Sequence, residues 1–214
     1  MFVFVYLHYN QLEIMKENHF SAISLRKKDK NFGIFQFEIE PQTYEFLNSF
    51  NPFFSQWIEC PIQMNAVTYN YEGRPLETIE CNHPVSVDNA IIHDQLYQNC
   101  NLDKPTQRLN HLIEASLGKI SSRVYQIAFF IDLSDSLVAR FSSTLKVKIH
   151  DRSSVTKSTI PDYTIDIQEL EKDTPIVLGK LVRSVSSWNY YILGQPVKAY
   201  SKNETVKEIQ RNFL

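Results

Sequence analysis

The chain has 214 residues, 43% of them hydrophobic, and a formal net charge of −2. That supplies ample material for a core, whereas a near-neutral chain is a poor free-standing binder of polyanions. Three cysteines at irregular spacing give no disulfide framework and point to a reducing compartment. Five scattered glycines leave no phosphate-cradling loop, nucleophile elbow or dinucleotide motif.

In chain order, the apolar run Phe2 to Leu7 is far too short to span a bilayer and lacks the flanks of a signal peptide, so it reads as a strand. Residues 1–40 read as three strands, Phe2 to Tyr9, Phe20 to Arg26 and Phe32 to Ile39. In the third, Phe35, Phe37 and Ile39 alternate with Gln36 and Glu38, the period of a half-buried strand. Pro41 opens a short helix with Tyr44, Leu47 and Phe50 on one side, stopped at Asn51-Pro52. Phe53, Phe54 and Trp57 read as core packing. Residues 1–60 are thus expected to be a β/α extension packed on a main domain of residues 61–214.

Leu76 to Val87 reads as a strand. Asp103-Lys104-Pro105 reads as the cap of a helix with Leu109, Leu112, Ile113 and Leu117 on one face and Gly118 as its C′ residue. Arg123 to Leu133 follows as a strand with Tyr125, Ile127, Phe129, Ile131 and Leu133 on one side. Leu145, Val147 and Ile149 alternate with Lys146, Lys148 and His150. Tyr163, Ile165 and Ile167, then Ile176 to Val185 and Tyr190 to Tyr200, complete the strands. A terminal amphipathic helix, capped near Asn203, presents Val206, Ile209 and Phe213. This order predicts a mainly β chain: a five-stranded Greek-key barrel of the OB type, with a helical insertion between strands one and two and a C-terminal helix.

Candidate chemistry is thin. Cys60, Cys81, His83, His93 and Cys100 match no zinc spacing, so no metal or other cofactor is expected. Glu77 with Glu80, and Asp132 with Asp135, stand three apart, which on a strand sends paired carboxylates to opposite faces. No Ser/His/Asp or Cys/His arrangement emerges, and the chain does not read as an enzyme. Single strands of nucleic acid are held by basic side chains along the phosphates and aromatic faces on the bases. Arg140, Lys146, Lys148, Lys180, Arg183 and Lys198, interleaved with Phe141, Trp188, Tyr190, Tyr191 and Tyr200, could serve that purpose or merely solubilise one face. The terminal strip Val206, Ile209, Phe213 and Leu214 could pack at home or against a partner helix.

Several stretches resemble the Stn-one family of telomere-capping subunits, relatives of the middle subunit of replication protein A. Tyr71-Glu72-Gly73-Arg74-Pro75-Leu76-Glu77-Thr78-Ile79 resembles the lead-in to that family's first barrel strand. Tyr125 to Ser136 resembles its second strand and turn. Asp173 to Ser184 is similar to its fourth, with the pattern apolar-x-Gly-x-apolar-Arg, while Tyr190 to Tyr200 and Glu204 to Phe213 match its fifth strand and following helix. The similarity covers residues 71–214. It departs from the family at Asn82-His83-Pro84, where a glycine-centred bend is usual, in the turn after strand two, and in the insertion 89–121. Relatives carry winged-helix modules further on, which implies a fragment or a short member. The resemblance implies an OB fold in the nucleus at chromosome telomeres. It further implies a heterodimer with a smaller OB protein (Ten-one-like) through the terminal helix, work beside a large telomere single-strand-binding subunit, and weak binding of single-stranded DNA. Phe141 would stack on a base, and Lys180 and Arg183 would line the groove. A scaffold subunit of some other complex that binds no DNA is the alternative, and no membrane association is expected.

Overall fold

Period-two alternation of apolar residues builds two antiparallel sheets whose inner faces meet. The computed structural model describes residues 5–7, 14–17, 20–24, 34–41, 63–93, 111–132, 144–151, 158–167, 174–185 and 187–214. Among them the strands are β1 (Val5–Leu7), β2 (Ile14–Glu17), β3 (Phe20–Ser24), β4 (Ile34–Pro41), β5 (Gln63–Tyr69), β6 (Pro75–Ile79), β7 (Ile91–His93), β8 (His111–Ser116), β9 (Gln126–Asp132), β10 (Thr144–Asp151), β11 (Ser158–Asp166), β12 (Ile176–Arg183) and β13 (Trp188–Pro196). One helix, α1 (Lys202–Asn212), follows. A six-stranded sheet has the order β1-β11-β10-β4-β8-β7, and a seven-stranded sheet the order β2-β3-β13-β12-β9-β5-β6.

The core lies between the sheets. Phe35, Phe37 and Ile39 of β4 and Leu145, Val147 and Ile149 of β10 are fully buried. They lie in register, Val147 opposite Ile39 and Ile149 opposite Phe37. The Phe37 ring stacks on Phe129 of the opposite sheet, centroids 5.1 Å apart and planes 4° from parallel. Phe35 meets Tyr190 at 5.4 Å. Two hydroxyls complete the contact: Tyr163 donates to the Leu178 carbonyl at 3.0 Å, and its oxygen lies 2.8 Å from that of Tyr190. Buried polar groups hold a fold only when satisfied, and these two tyrosines satisfy each other.

Tyr190 dictates the residue beneath it. The register of β12 slips between Val177 and Gly179 against both neighbours, which puts Leu178 into the inner core. At Gly179 a Cβ would clash with the Tyr190 hydroxyl and fall 2.6 Å from the Tyr191 carbonyl oxygen. The glycine therefore makes room for the ring that bridges the sheets.

The outer face of the seven-stranded sheet carries an apolar patch on β5, β9, β12 and β13, where α1 covers it. Ile209 is fully buried with Val67, Tyr69, Ala128, Phe130, Val177, Leu193, Val197 and Ala199, and Val206, Phe213 and Leu214 pack against them. Burying an isoleucine on this scale contributes about 1.5–3 kcal/mol. Ser201 caps α1 by accepting the Glu204 amide at 3.3 Å, and Glu204 accepts the Tyr200 amide at 2.9 Å. Tyr69 donates its hydroxyl to the Val206 carbonyl at 3.2 Å. Lys180 donates to the carbonyl of Phe213, an arrangement suited to the electronegative end of a helix.

The expected OB-type barrel is corrected. Both sheets are open among the described residues, with β1 and β7, and β2 and β6, at their edges. The alternation was read correctly, but alternation does not say whether a sheet closes on itself or packs on a second one. The strands expected in residues 1–40 are members of both sheets: β4 lies between β10 and β8, and β3 pairs with β13. Strand β2 was not anticipated. Of the expected helical insertion at 89–121, the described parts are β7, β8 and the turn after it, which corrects the helix at Leu112, Ile113 and Leu117, while residues 94–110, with Asp103-Lys104-Pro105 and Leu109, lie outside the described residues. In β8, Ile113 and Ala115 face inward while Leu112 and Glu114 are half-exposed, so the period is two. The leucines also fit a helical stripe, and the long-range pairing of Phe37 with Ile113 decides between them. The expected strand from Leu76 to Val87 stops at Ile79, where Glu80 and His83 bond each other's backbone in a turn. Pro41, expected to open a helix, ends β4, and the rest of that expected helix, with Tyr44, Leu47 and Phe50, and the aromatic stretch at Phe53, Phe54 and Trp57 lie outside the described residues.

Replacing Gly179 with alanine is expected to destabilise the fold by about 3 kcal/mol, at the upper end for overpacking beside rigid backbone. Urea unfolding would check this, and a G179A variant as stable as the parent would contradict the placement of Tyr190.

Candidate functional site

The side chains singled out as a nucleic-acid groove do not converge. Lys146 and Lys148 project from β10 on the outer face of the six-stranded sheet. Lys146 pairs with Asp162 at 3.0 Å, and across the strands Lys146 stands opposite Glu40 and Lys148 opposite Glu38. This is a mixed-sign face. Lys180 lies on the opposite side of the molecule, on the outer face of the seven-stranded sheet, 5.5 Å from the Tyr191 ring. Burial lowers its ammonium pKa. Lys198 is exposed beyond β13. Arg140 and Phe141 lie outside the described residues. Val206, Ile209, Phe213 and Leu214 lie against the chain's own sheet.

Arg183 has a structural task. Its Nε donates to the Val124 carbonyl at 2.9 Å, and Nη2 donates to the carbonyls of Ile120 and Ser121 at 3.1 and 2.9 Å. The guanidinium also lies 4.4 Å from the centre of the Trp188 ring. It therefore pins the 120–124 connection to the end of the sheet.

That end is the most distinctive surface. Three connections meet there side by side, in the order of their strands: the β5–β6 hairpin, the lead into β9 and the β12–β13 hairpin. The first is a tight turn in which Gly73, at φ +73°, donates to the Asn70 carbonyl at 3.0 Å and Asn70 donates to the Arg74 carbonyl at 3.0 Å. The stretch Tyr71 to Pro75 is thus a hairpin signature and not the lead-in to a barrel strand. Tyr71 is 80% exposed and meets Tyr125 edge to face at 5.3 Å. Tyr125 donates its amide to the Tyr69 carbonyl and accepts from Arg183. Val185 stands fully exposed at the third connection. Sequence reading missed Tyr71, Tyr125, Lys119, Arg123 and Val185. The available signal was an aromatic and an aliphatic residue in turns, where burial cannot explain them.

Several of the groups weighed as chemistry, with Asp88 beside them, are tied into the frame, while His83 is exposed. Glu77 accepts the Val87 amide at 3.0 Å, Glu80 pairs with Lys202, and Asp88 accepts from Ser86, Ala90 and Ser121 at 2.7–3.0 Å. His93, on β7, reaches across to the Met64 carbonyl at 2.9 Å, and Cys81 Sγ lies 4.0 Å from the same Nε2. Nε2 donates to that carbonyl, so the buried Nδ1, with no hydrogen-bond partner, carries the free lone pair of the neutral ring. Burial lowers the His93 pKa, against smaller opposing effects of the Met64 carbonyl and Glu80. Cys60, Cys100 and Asp135 lie outside the described residues. Among the described residues no three His, Cys, Asp or Glu side chains are grouped to hold a metal, and no helix is long and apolar enough to cross a membrane.

No protein-family model matches the chain, and no curated protein matches it. Solved structures do. A Streptomyces coelicolor A3(2) homologue of the telluride resistance protein TerD superposes with a TM-score of 0.56 at 12% identity, covering 84% of this chain and 98% of its own. The chain shares the TerD-like fold. A second solved structure, the protein of unknown function SAV2460, superposes with a TM-score of 0.53 at 12% identity, covering 84% of this chain and 97% of its own. The expected telomere-capping function is corrected by the same finding. It required an OB barrel, whereas the described residues form a sandwich of two open sheets that superposes on the TerD homologue. The short motifs that suggested it have local causes: a hairpin turn at Gly73, and a glycine beneath Tyr190 at Gly179.

Because His93 holds its proton less well in the folded chain, the unfolded chain takes up that proton first as pH falls. The His93 contribution is complete above about pH 6.5, the unperturbed histidine value. It is lost as pH falls toward the lower folded value, at up to about 1.4 kcal/mol per pH unit. Urea titrations between neutral and mildly acid pH should show this slope in the parent and a flatter one in H93Q. Equal slopes would place the acid sensitivity elsewhere.

Proposed function

We propose that the chain is a non-catalytic binding module of the TerD type that contributes to tellurium resistance. The extent of the shared fold carries this reading: the sandwich aligns with nearly the whole of the TerD homologue. The non-catalytic part is supported by the acidic side chains. Glu77, Glu80 and Asp88 are each engaged by a backbone amide or by Lys202, in arrangements that fix turns and the helix start. Groups so committed are poorly placed to move protons on a substrate.

Expression of the full chain in a tellurite-sensitive bacterium is expected to raise the tolerated tellurite concentration, and an unstable variant accumulating to a similar level should not. Unchanged tolerance in cells that hold the folded protein would contradict the proposal.

A further inference from the structure

We propose that the sandwich end formed by residues 70–74, 117–125 and 183–185 is a docking surface for an acidic segment of a partner protein that carries an aromatic or aliphatic anchor residue. The surface combines two features. Its apolar side chains are displayed outward: Tyr71 is 80% exposed, Tyr125 is half-buried against it, and Val185 is fully exposed. Its charge is mostly positive: these segments hold Arg74, Lys119, Arg123 and Arg183 against the carboxylate of Glu72 and that of Asp88, which is taken up by the Ser121 amide, in a chain whose net charge is −2. Exposed apolar residues rimmed by charge mark interaction sites, and charge complementarity selects the partner's sign.

The distribution of those cations favours a peptide over a nucleic acid. Arg183 already donates to three backbone carbonyls, and Arg74 pairs with Glu72 at 3.0 Å. Lys119 and Arg123, both exposed, are left to meet an incoming anion. Two cations suit a few carboxylates but not a phosphate backbone, whose binding scales with the number of phosphates neutralised. An aliphatic side chain such as Val185 also offers no ring for a base to stack on. The platform is rigid where it must be. Backbone bonds join Tyr69 to Tyr125 and Tyr125 to Arg183, and the Arg183 guanidinium holds the middle connection, so docking requires little ordering. The inference goes beyond tellurium resistance and stands whether or not the chain confers it.

Selection of a displayed library of random short peptides on the full chain tests this. Enrichment of peptides rich in Asp and Glu around a Trp, Phe or Leu is expected. Individual binders should weaken with added salt. They should also lose at least about tenfold in affinity, about 1.4 kcal/mol, on both K119E/R123E and Y71A. All three positions are exposed, so unchanged melting curves should accompany the loss. Absence of enrichment, enrichment of neutral or basic peptides, or undiminished binding to K119E/R123E would overturn the proposal. So would displacement of the peptides by a short oligothymidylate, or self-association of the chain through this end in sedimentation.

Discussion

The fold depends on the contact between two inner sheet faces at Tyr190. Its ring meets Phe35, its hydroxyl meets that of Tyr163, and it lies over Gly179. The pair is buried away from water, which pushes both phenols well above the usual tyrosine range. They therefore stay neutral, and each hydroxyl has a partner. In a low-dielectric interior, satisfied polar contacts of this kind fix one alignment of two faces that apolar packing alone would allow to slide. The slip in β12 at Leu178, the glycine beside it and the stack of Phe37 on Phe129 all follow from keeping that alignment.

With the inner faces sealed, the outer faces differ. The six-stranded sheet presents mixed charges, with Lys146 paired to Asp162 of the neighbouring strand. The seven-stranded sheet has an apolar patch on β5, β9, β12 and β13 that is covered by α1, which Ser201 starts and Tyr69 and Lys180 tie down. The apolar strip on α1 is matched to this sheet, with Ile209 at its centre. What remains for function is the sandwich end, where Arg183 and the backbone bonds of Tyr125 set exposed rings and cations on a rigid base.

Much of the local structure was legible in the sequence. The alternation at Phe35, Phe37 and Ile39 and at Leu145, Val147 and Ile149 identifies buried strand faces, and Val206, Ile209 and Phe213 identify the stripe of α1. Closure was not legible, because inward residues look the same in a barrel and in a sandwich. Strand β9 shows the limit: Ile127, Phe129 and Ile131 face the opposite sheet while Ala128 and Phe130 face α1, so both faces are apolar and the partner of each is decided by distant residues. In β8, Leu112 beside Ile113 imitates a helical stripe. The short motifs misled because glycines at tight turns and under rings recur in unrelated folds. The candidate site escaped because Tyr71 and Val185 lie in turns, where an apolar residue carries no periodic signal.

A double-mutant cycle at Tyr163 and Tyr190 tests the central claim most directly. Y163F, Y190F and the double variant would be compared by urea unfolding. The account predicts that the two hydroxyls act as one unit, with a coupling energy of about 1 kcal/mol or more between the substitutions. Strictly additive losses would contradict the cross-sheet contact on which the sandwich rests.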